Sequence, residues 1–153
     1  MKAEQNDKYL VSACLLGENC KYNGGNNLNE KLLRSLEGCD IISICPELMG
    51  GLSTPRAPGE IVDGVVRNED GTSVDEEYRR GAELALELAL REGVTQAILQ
   101  SRSPSCGASQ IYDGTFSKKL IPGMGVCAAK LADNGIEVID VATWVADFDE
   151  DEL

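Results

Sequence analysis

Four short runs of apolar residues punctuate the chain, at 9–13 (YLVSA), 40–44 (DIISI), 96–100 (QAILQ) and 136–140 (IEVID). None alternates strictly between apolar and polar positions. Continuous runs of this length predict strands covered on both faces, as in a parallel sheet. Between the runs the period changes to that of a helix. Leu28, Leu32, Leu33 and Leu36 form a stripe on a helix predicted over 28–36, which ends before Gly38. The longest helix is predicted over 74–92, where Tyr78, Ala82, Ala85 and Ala89 share one face. Ser73 and Glu76 have the spacing of a capping box at its start, and Gly93 closes it. A third helix is predicted over 126–134, closed by Gly135.

Strands and helices that alternate in this way predict βαβ units. Two Asp-Gly pairs, Asp63-Gly64 and Asp113-Gly114, lie between apolar runs and predict β-hairpins inserted between the core elements. The expected architecture is a single-domain α/β three-layer sandwich with a mainly parallel, Rossmann-like sheet over 1–140. Residues 141–153 form an acidic C-terminal extension, which Trp144, Val145 and Phe148 could anchor as a short helix.

Charge narrows the partners. The 153 residues have a formal net charge of −12, and Asp147, Asp149, Glu150, Asp151 and Glu152 supply five of those negative charges. General nucleic-acid binding needs a basic surface that displaces counterions from phosphate, so it is not expected. The apolar run 9–16 is too short to span a bilayer and lacks a cleavage pattern, so a cytoplasmic protein without a membrane partner is expected.

In a reducing compartment the six cysteines, Cys14, Cys20, Cys39, Cys45, Cys106 and Cys127, are not expected to form disulfides. None lies in a C-x-x-C pair. The chain contains no histidine, which excludes Ser–His and Cys–His nucleophile pairs and His-ligated zinc. Placement of the cysteines is the informative feature. Cys14, Cys45 and Cys106 each follow a different predicted strand. In a parallel sheet these loops emerge at the carboxyl edge, where open α/β sheets build their sites. Each alone could be a small buried hydrophobe, but three past three strands predict a convergent thiol site. Cys39 precedes a strand at the opposite edge and Cys127 sits on a helix. Cys20, six residues past Cys14, is the spare candidate.

Three thiolates without histidine suit a soft metal or an iron–sulfur cluster. Held by three cysteines, a cubane keeps one iron open as a Lewis acid with affinity for sulfur. Glu47 lies two residues from Cys45, and Pro46 between them suits a first helical turn. The polar turn 101–107 (SRSPSCG) surrounds Cys106 with three serines and Arg102. There Pro104 holds Ser103 extended and Gly107 permits a left-handed turn. The run Gly123-Met124-Gly125-Val126-Cys127-Ala128 fits a dinucleotide fingerprint but lacks its strand-first context. The run 23–27 (NGGNN) reads as a turn.

The segments YLVSACLLGENCKYNGG, ISICPELMGGLSTPR, ILQSRSPSCG and IYDGTFSKKLIPGMGV resemble the thiouracil desulfidase family. The resemblance runs from about Tyr9 to Asp140. It implies a [4Fe-4S] cluster held by Cys14, Cys45 and Cys106, with Glu47 and Ser103 as the catalytic pair. The implied activity is non-redox desulfuration of thiouracil or a related thiolated pyrimidine to uracil and sulfide. In that reading Glu47, assisted by Ser103, activates a water. Arg56, Asn23 and Arg102 are candidates for contacts to the pyrimidine. Two rival readings remain: a persulfide-type sulfurtransferase with Cys106 as its nucleophile, and an iron–sulfur redox-sensing module.

Overall fold

The computed structural model describes residues 7–148. The acidic cluster at 149–152 lies outside the described residues. In chain order, β1 is Lys8–Ser12, α1 Glu30–Ser35, β2 Asp40–Ile44, α2 Pro46–Met49, β3 Gly59–Val62, β4 Val65–Asn68 and α3 Asp75–Arg91. They are followed by β5 Gln96–Leu99, β6 Gln110–Tyr112, β7 Leu120–Pro122, α4 Val126–Asp133, β8 Glu137–Asp140 and α5 Val141–Ala146. A 3₁₀ turn, Ala13–Leu16, directly follows β1.

Four strands form a parallel sheet in the order β2-β1-β5-β8. Alternate residues of β1 go to opposite faces, as the pleat requires. Leu10 joins Tyr78, Ala82, Ala85 and Ala89 of α3 and Ala128 and Leu131 of α4 in one apolar core. Tyr9 and Val11 join Leu32, Leu36, Val141 and Trp144 in the other, formed with α1 and α5. The result is the expected three-layer sandwich. The chain steps from β1 to β2 in one direction, then crosses back to β5 and β8 in the other. The reversal lies between β1 and β5, the switch point at which such sheets open a crevice.

Several local expectations are corrected. β2 is an edge strand whose Asp40, Ile41 and Ser43 are exposed, so it is not covered on both faces. No capping box forms on α3: the helix starts after Val74 with no side-chain cap. Ser73 is drawn into a bridge with Arg67 instead, and the Asp75 carboxylate accepts from Val66 N–H of β4 at 3.0 Å. Asp63 (φ 50°) and Gly64 (φ 81°) do make the predicted tight turn between β3 and β4. Asp113-Gly114 does not join β6 to β7; the connection runs through 113–119. There the Asp113 carboxylate accepts from Thr115 N–H at 3.0 Å, while Glu60 Oε1 of β3 accepts from Gly114 N–H at 2.9 Å. Docking onto β3 thus replaces the two-residue turn.

The C-terminal helix belongs to the core. Trp144 is 2% exposed, meets Tyr9 edge-to-face at 5.5 Å between ring centroids, and donates its indole N–H to Ser35 Oγ at 2.7 Å.

Candidate active site

One cavity of about 500 Å³ opens at the carboxyl edge of the sheet, beside the switch point. Its wall includes Cys14, Cys45 and Cys106, brought together from the loops after β1, β2 and β5. Glu47, Ser103, Arg56 and Arg102 line it as well, as does Cys20. Asn23 does not: its Oδ1 closes a turn by accepting from Gly25 N–H at 2.9 Å. Cys39 and Cys127 are not part of the wall.

All six cysteines carry thiols rather than disulfides. Each of the four in the wall has its pKa raised, and burial is the main cause. Cys20 is pushed up to about 12, with the nearby Cys45 adding to the effect. Cys106, fully enclosed, rises well above its ordinary value; burial is the main cause, the charge of Glu47 adds to it, and Ser12 opposes it. Cys14 receives the Asn27 side-chain N–H at 3.6 Å, the contact that most offsets its burial.

These thiols need a strong cationic partner to ionise, and the wall supplies only scattered cations. A soft metal group meets that need, because it replaces the proton on each sulfur. Among the described residues no three Cys, Asp or Glu side chains stand close enough to chelate a single metal ion. Cys14, Cys45 and Cys106 line one cavity, and a multi-iron cluster takes its thiolates around a volume rather than on a single ion. The donor set fits a [4Fe-4S] cluster.

Glu47 is held from several sides. Burial raises its pKa, and the Arg56 guanidinium is the principal opposing influence, with its own backbone and Ser105 adding smaller ones. Arg56 Nη2 lies 3.5 Å from Glu47 Oε2 and donates to the Cys20 carbonyl at 3.0 Å. Its Nη1 donates to the Ser53 carbonyl and Thr54 Oγ1, each at 3.2 Å. The guanidinium fork is thus committed to protein groups around Glu47.

Ser103 Oγ accepts from the N–H groups of Ser105 and Cys106, both at 3.0 Å. Both lone pairs of the hydroxyl are in use, so its remaining capacity is its proton. Ser103 can donate into the cavity but has no free lone pair with which to accept. The turn around it also departs from expectation. Arg102, not Gly107, takes the left-handed conformation, at φ 64°. Gly107 is required by crowding: a Cβ there would lie 2.7 Å from Gln110 O and 2.8 Å from Ser103 O.

The Gly-Met-Gly run has a structural purpose. Val126 N–H donates to Pro104 O at 2.8 Å, and Cys127 and Ala128 N–H donate to Ser105 O at 2.9 and 3.0 Å. The N–H groups that would cradle a phosphate are spent on the turn that carries Cys106. Gly125 lets α4 approach, since a Cβ there would lie 2.5 Å from Ser105 O.

Sequence reasoning missed Ser12, Asn27 and Tyr78, all in the wall. Asn27 was hidden in a run that reads as a turn, and Tyr78 in an apolar helical stripe. Ser12 is buried at the end of β1, accepts from Gln100 N–H at 2.9 Å, and hydrogen-bonds Cys106.

Fold and site together define an α/β protein whose sheet edge is built to hold a thiolate-ligated iron–sulfur cluster beside a buried carboxylate. The chain belongs to the 2-thiouracil desulfurase family, whose pattern it matches over residues 9–142. It is 41% identical over 140 residues to the uncharacterized protein YbbK of Bacillus subtilis strain 168, covering 85% of this chain and 93% of that one. Its structure is similar to that of a [4Fe-4S]-dependent thiouracil desulfidase, TudS, with a TM-score of 0.83 and 40% identity. That similarity covers 97% of this chain and 93% of TudS.

Proposed function

We propose that this chain removes sulfur from thiouracil or a related small thiolated pyrimidine, exchanging C=S for C=O with water and releasing sulfide. The observation that carries the reading is the convergence of Cys14, Cys45 and Cys106 with Glu47 and Ser103 on one cavity. Family membership and the likeness to TudS support the same activity.

Cys14, Cys45 and Cys106 would hold the [4Fe-4S] cluster, whose iron without a protein thiolate supplies a soft Lewis acid for the thiocarbonyl sulfur. The chain's own residues then manage water and protons. Glu47, its carboxyl raised toward neutrality by burial, takes a proton from the water that attacks the ring carbon. Arg56 keeps enough of Glu47 ionised for that task and fixes its position. Ser103, able only to donate, would orient that water by donating its proton to the water oxygen. Arg102, at the cavity wall with its fork unused by Glu47, is the better placed arginine for the pyrimidine.

The sulfurtransferase alternative suits the site poorly. A nucleophilic cysteine works as thiolate, and Cys106 is enclosed with its pKa well above the ordinary value. A pure redox sensor has no use for the Glu47–Arg56 pair. The acidic composition favours a small substrate over nucleic acid, and the free cysteines suit a reducing, cytoplasmic location. No helix of the described residues is long and apolar enough to cross a membrane.

The test is iron content with sulfide release, measured anaerobically. Serine at 14, 45 or 106 should each abolish cluster binding, while serine at 39 or 127 should leave it intact. Full iron in Cys45→Ser would exclude this ligand set. A fully loaded parent protein that releases no sulfide from 2-thiouracil or 4-thiouracil, or from their nucleosides and nucleotides, would exclude the activity.

A further inference from the structure

The cavity holds one thiol more than the cluster needs. Cys14 has the Asn27 amide as its partner and Cys106 has the Ser12 hydroxyl. Cys45 and Cys20 face each other: the Cys45 thiol donates to the Cys20 carbonyl at 3.9 Å, and each thiol perturbs the ionisation of the other. The Cys20 backbone cannot drift away, because Arg56 donates to that same carbonyl at 3.0 Å and its N–H to the Tyr22 carbonyl at 2.7 Å. A sulfur already 3.9 Å from the Cys20 backbone is placed to meet the Cys20 sulfur by side-chain rotation. They cannot, however, serve two separate corners of one cluster without moving apart, so one of the pair is left over when the cluster is bound.

We propose that Cys20 is a resolving thiol, which forms a disulfide with Cys45 when the cluster has been lost. The oxidant is a low-molecular-weight disulfide such as glutathione disulfide. One thiol attacks it, forming a mixed disulfide and releasing one thiol; the second protein thiol then displaces the other. In sum two protein thiols and one glutathione disulfide give one protein disulfide and two glutathione molecules, with two electrons passing to glutathione. The outcome is a site that keeps Cys45 at the reversible, disulfide level of oxidation and cannot rebuild its cluster until reduced. The disulfide requires only the geometry of the pair. Its effect on cluster rebuilding rests on the ligand assignment made above.

The experiment uses full-length protein stripped of iron anaerobically and treated with excess glutathione disulfide at alkaline pH. It is then denatured, alkylated and mapped by mass spectrometry. The expected product has one cross-link, Cys20 to Cys45, with Cys14 and Cys106 alkylated. Reconstitution with iron and sulfide should fail before treatment with dithiothreitol and recover after it. Cys20→Ser should give a persistent glutathione adduct on Cys45 and no cross-link, while untreated Cys20→Ser should take up as much iron as the parent. A cross-link between Cys14 and either partner, or a stable glutathione adduct on Cys45 of the parent, would overturn the proposal. So would loss of iron from untreated Cys20→Ser, since Cys20 would then be a ligand. A correct cross-link in a protein that still reconstitutes would instead remove Cys45 from the ligand set, and with it the resolving role.

Discussion

Gly81 of α3 lies directly against Pro46 of α2, so closely that a Cβ at position 81 would overlap the Pro46 carbonyl oxygen. The contact is reciprocal, because a Cβ on Gly50 would overlap the Glu77 carbonyl of α3. Backbone against backbone, α3 thus holds the short segment that carries Cys45 and Glu47. A glycine inside a helix costs about 1 kcal/mol relative to alanine, so its presence in α3 reflects this approach. Gly81→Ala should therefore destabilise the protein by ~1–3 kcal/mol through overpacking, despite the better helix former. It should also lower iron content by displacing Cys45. Thermal unfolding and iron analysis together check this; an alanine variant that is more stable and fully loaded would show that the contact is dispensable.

Glu47→Gln should retain the cluster, since ligation uses only thiolates and the amide keeps the shape. Turnover of thiouracil should fall by ~10²–10⁴, the usual worth of general acid–base assistance. Ser103→Ala should behave differently, because Ser103 Oγ also accepts from Cys106 N–H at 3.0 Å. Its loss leaves backbone donors unsatisfied in the turn that presents Cys106. Lower iron content should accompany its slower turnover, whereas Glu47→Gln should show only the latter. Sulfide release normalised to iron separates the two.

Arg56 opposes the upward shift that burial imposes on Glu47. Removing that positive charge in Arg56→Gln should raise the Glu47 pKa further. Because the proposed base is active when ionised, the acid limb of the pH–rate profile should move to higher pH, and activity at fixed neutral pH should drop. Profiles of kcat for the parent and the variant, each at equal iron loading, measure the displacement. A limb that stays in place would mean that Glu47 is not the group titrating.

Trp144→Ala should cost ~3–5 kcal/mol, as expected for a buried aromatic truncated in a core. The same change removes the donor to the Ser35 hydroxyl, which keeps its bond to the Leu32 carbonyl. Denaturant unfolding gives the magnitude. If the helix Val141–Ala146 were a detachable extension, the loss would be near zero.

The sequence determined the layers and the edge. Period alone located the four core strands and the helices α1, α3 and α4 to within a residue or two, because burial on a sheet or helix face leaves a local repeat that chain order preserves. Thiols placed after three such strands already predicted a shared edge, since parallel connections bring successive carboxyl ends to one side. Absence of histidine by itself limited the chemistry.

What only the tertiary structure decided was pairing. Cys20 could be named as a spare, but its contact with Cys45 depends on how the loop 17–27 folds back. Asn27 and Tyr78 gave no signal, because a turn amide and a core tyrosine look the same in sequence whether or not they face a cavity. Arg56 meets Glu47 only because the chain between them turns back through Ser53 and Thr54. Ser73 failed as a cap and Asp113-Gly114 as a hairpin turn for the same reason: a strand elsewhere in the chain competed for the backbone that local propensity had claimed. Long-range contacts leave no period, so they become visible only when the fold has been closed.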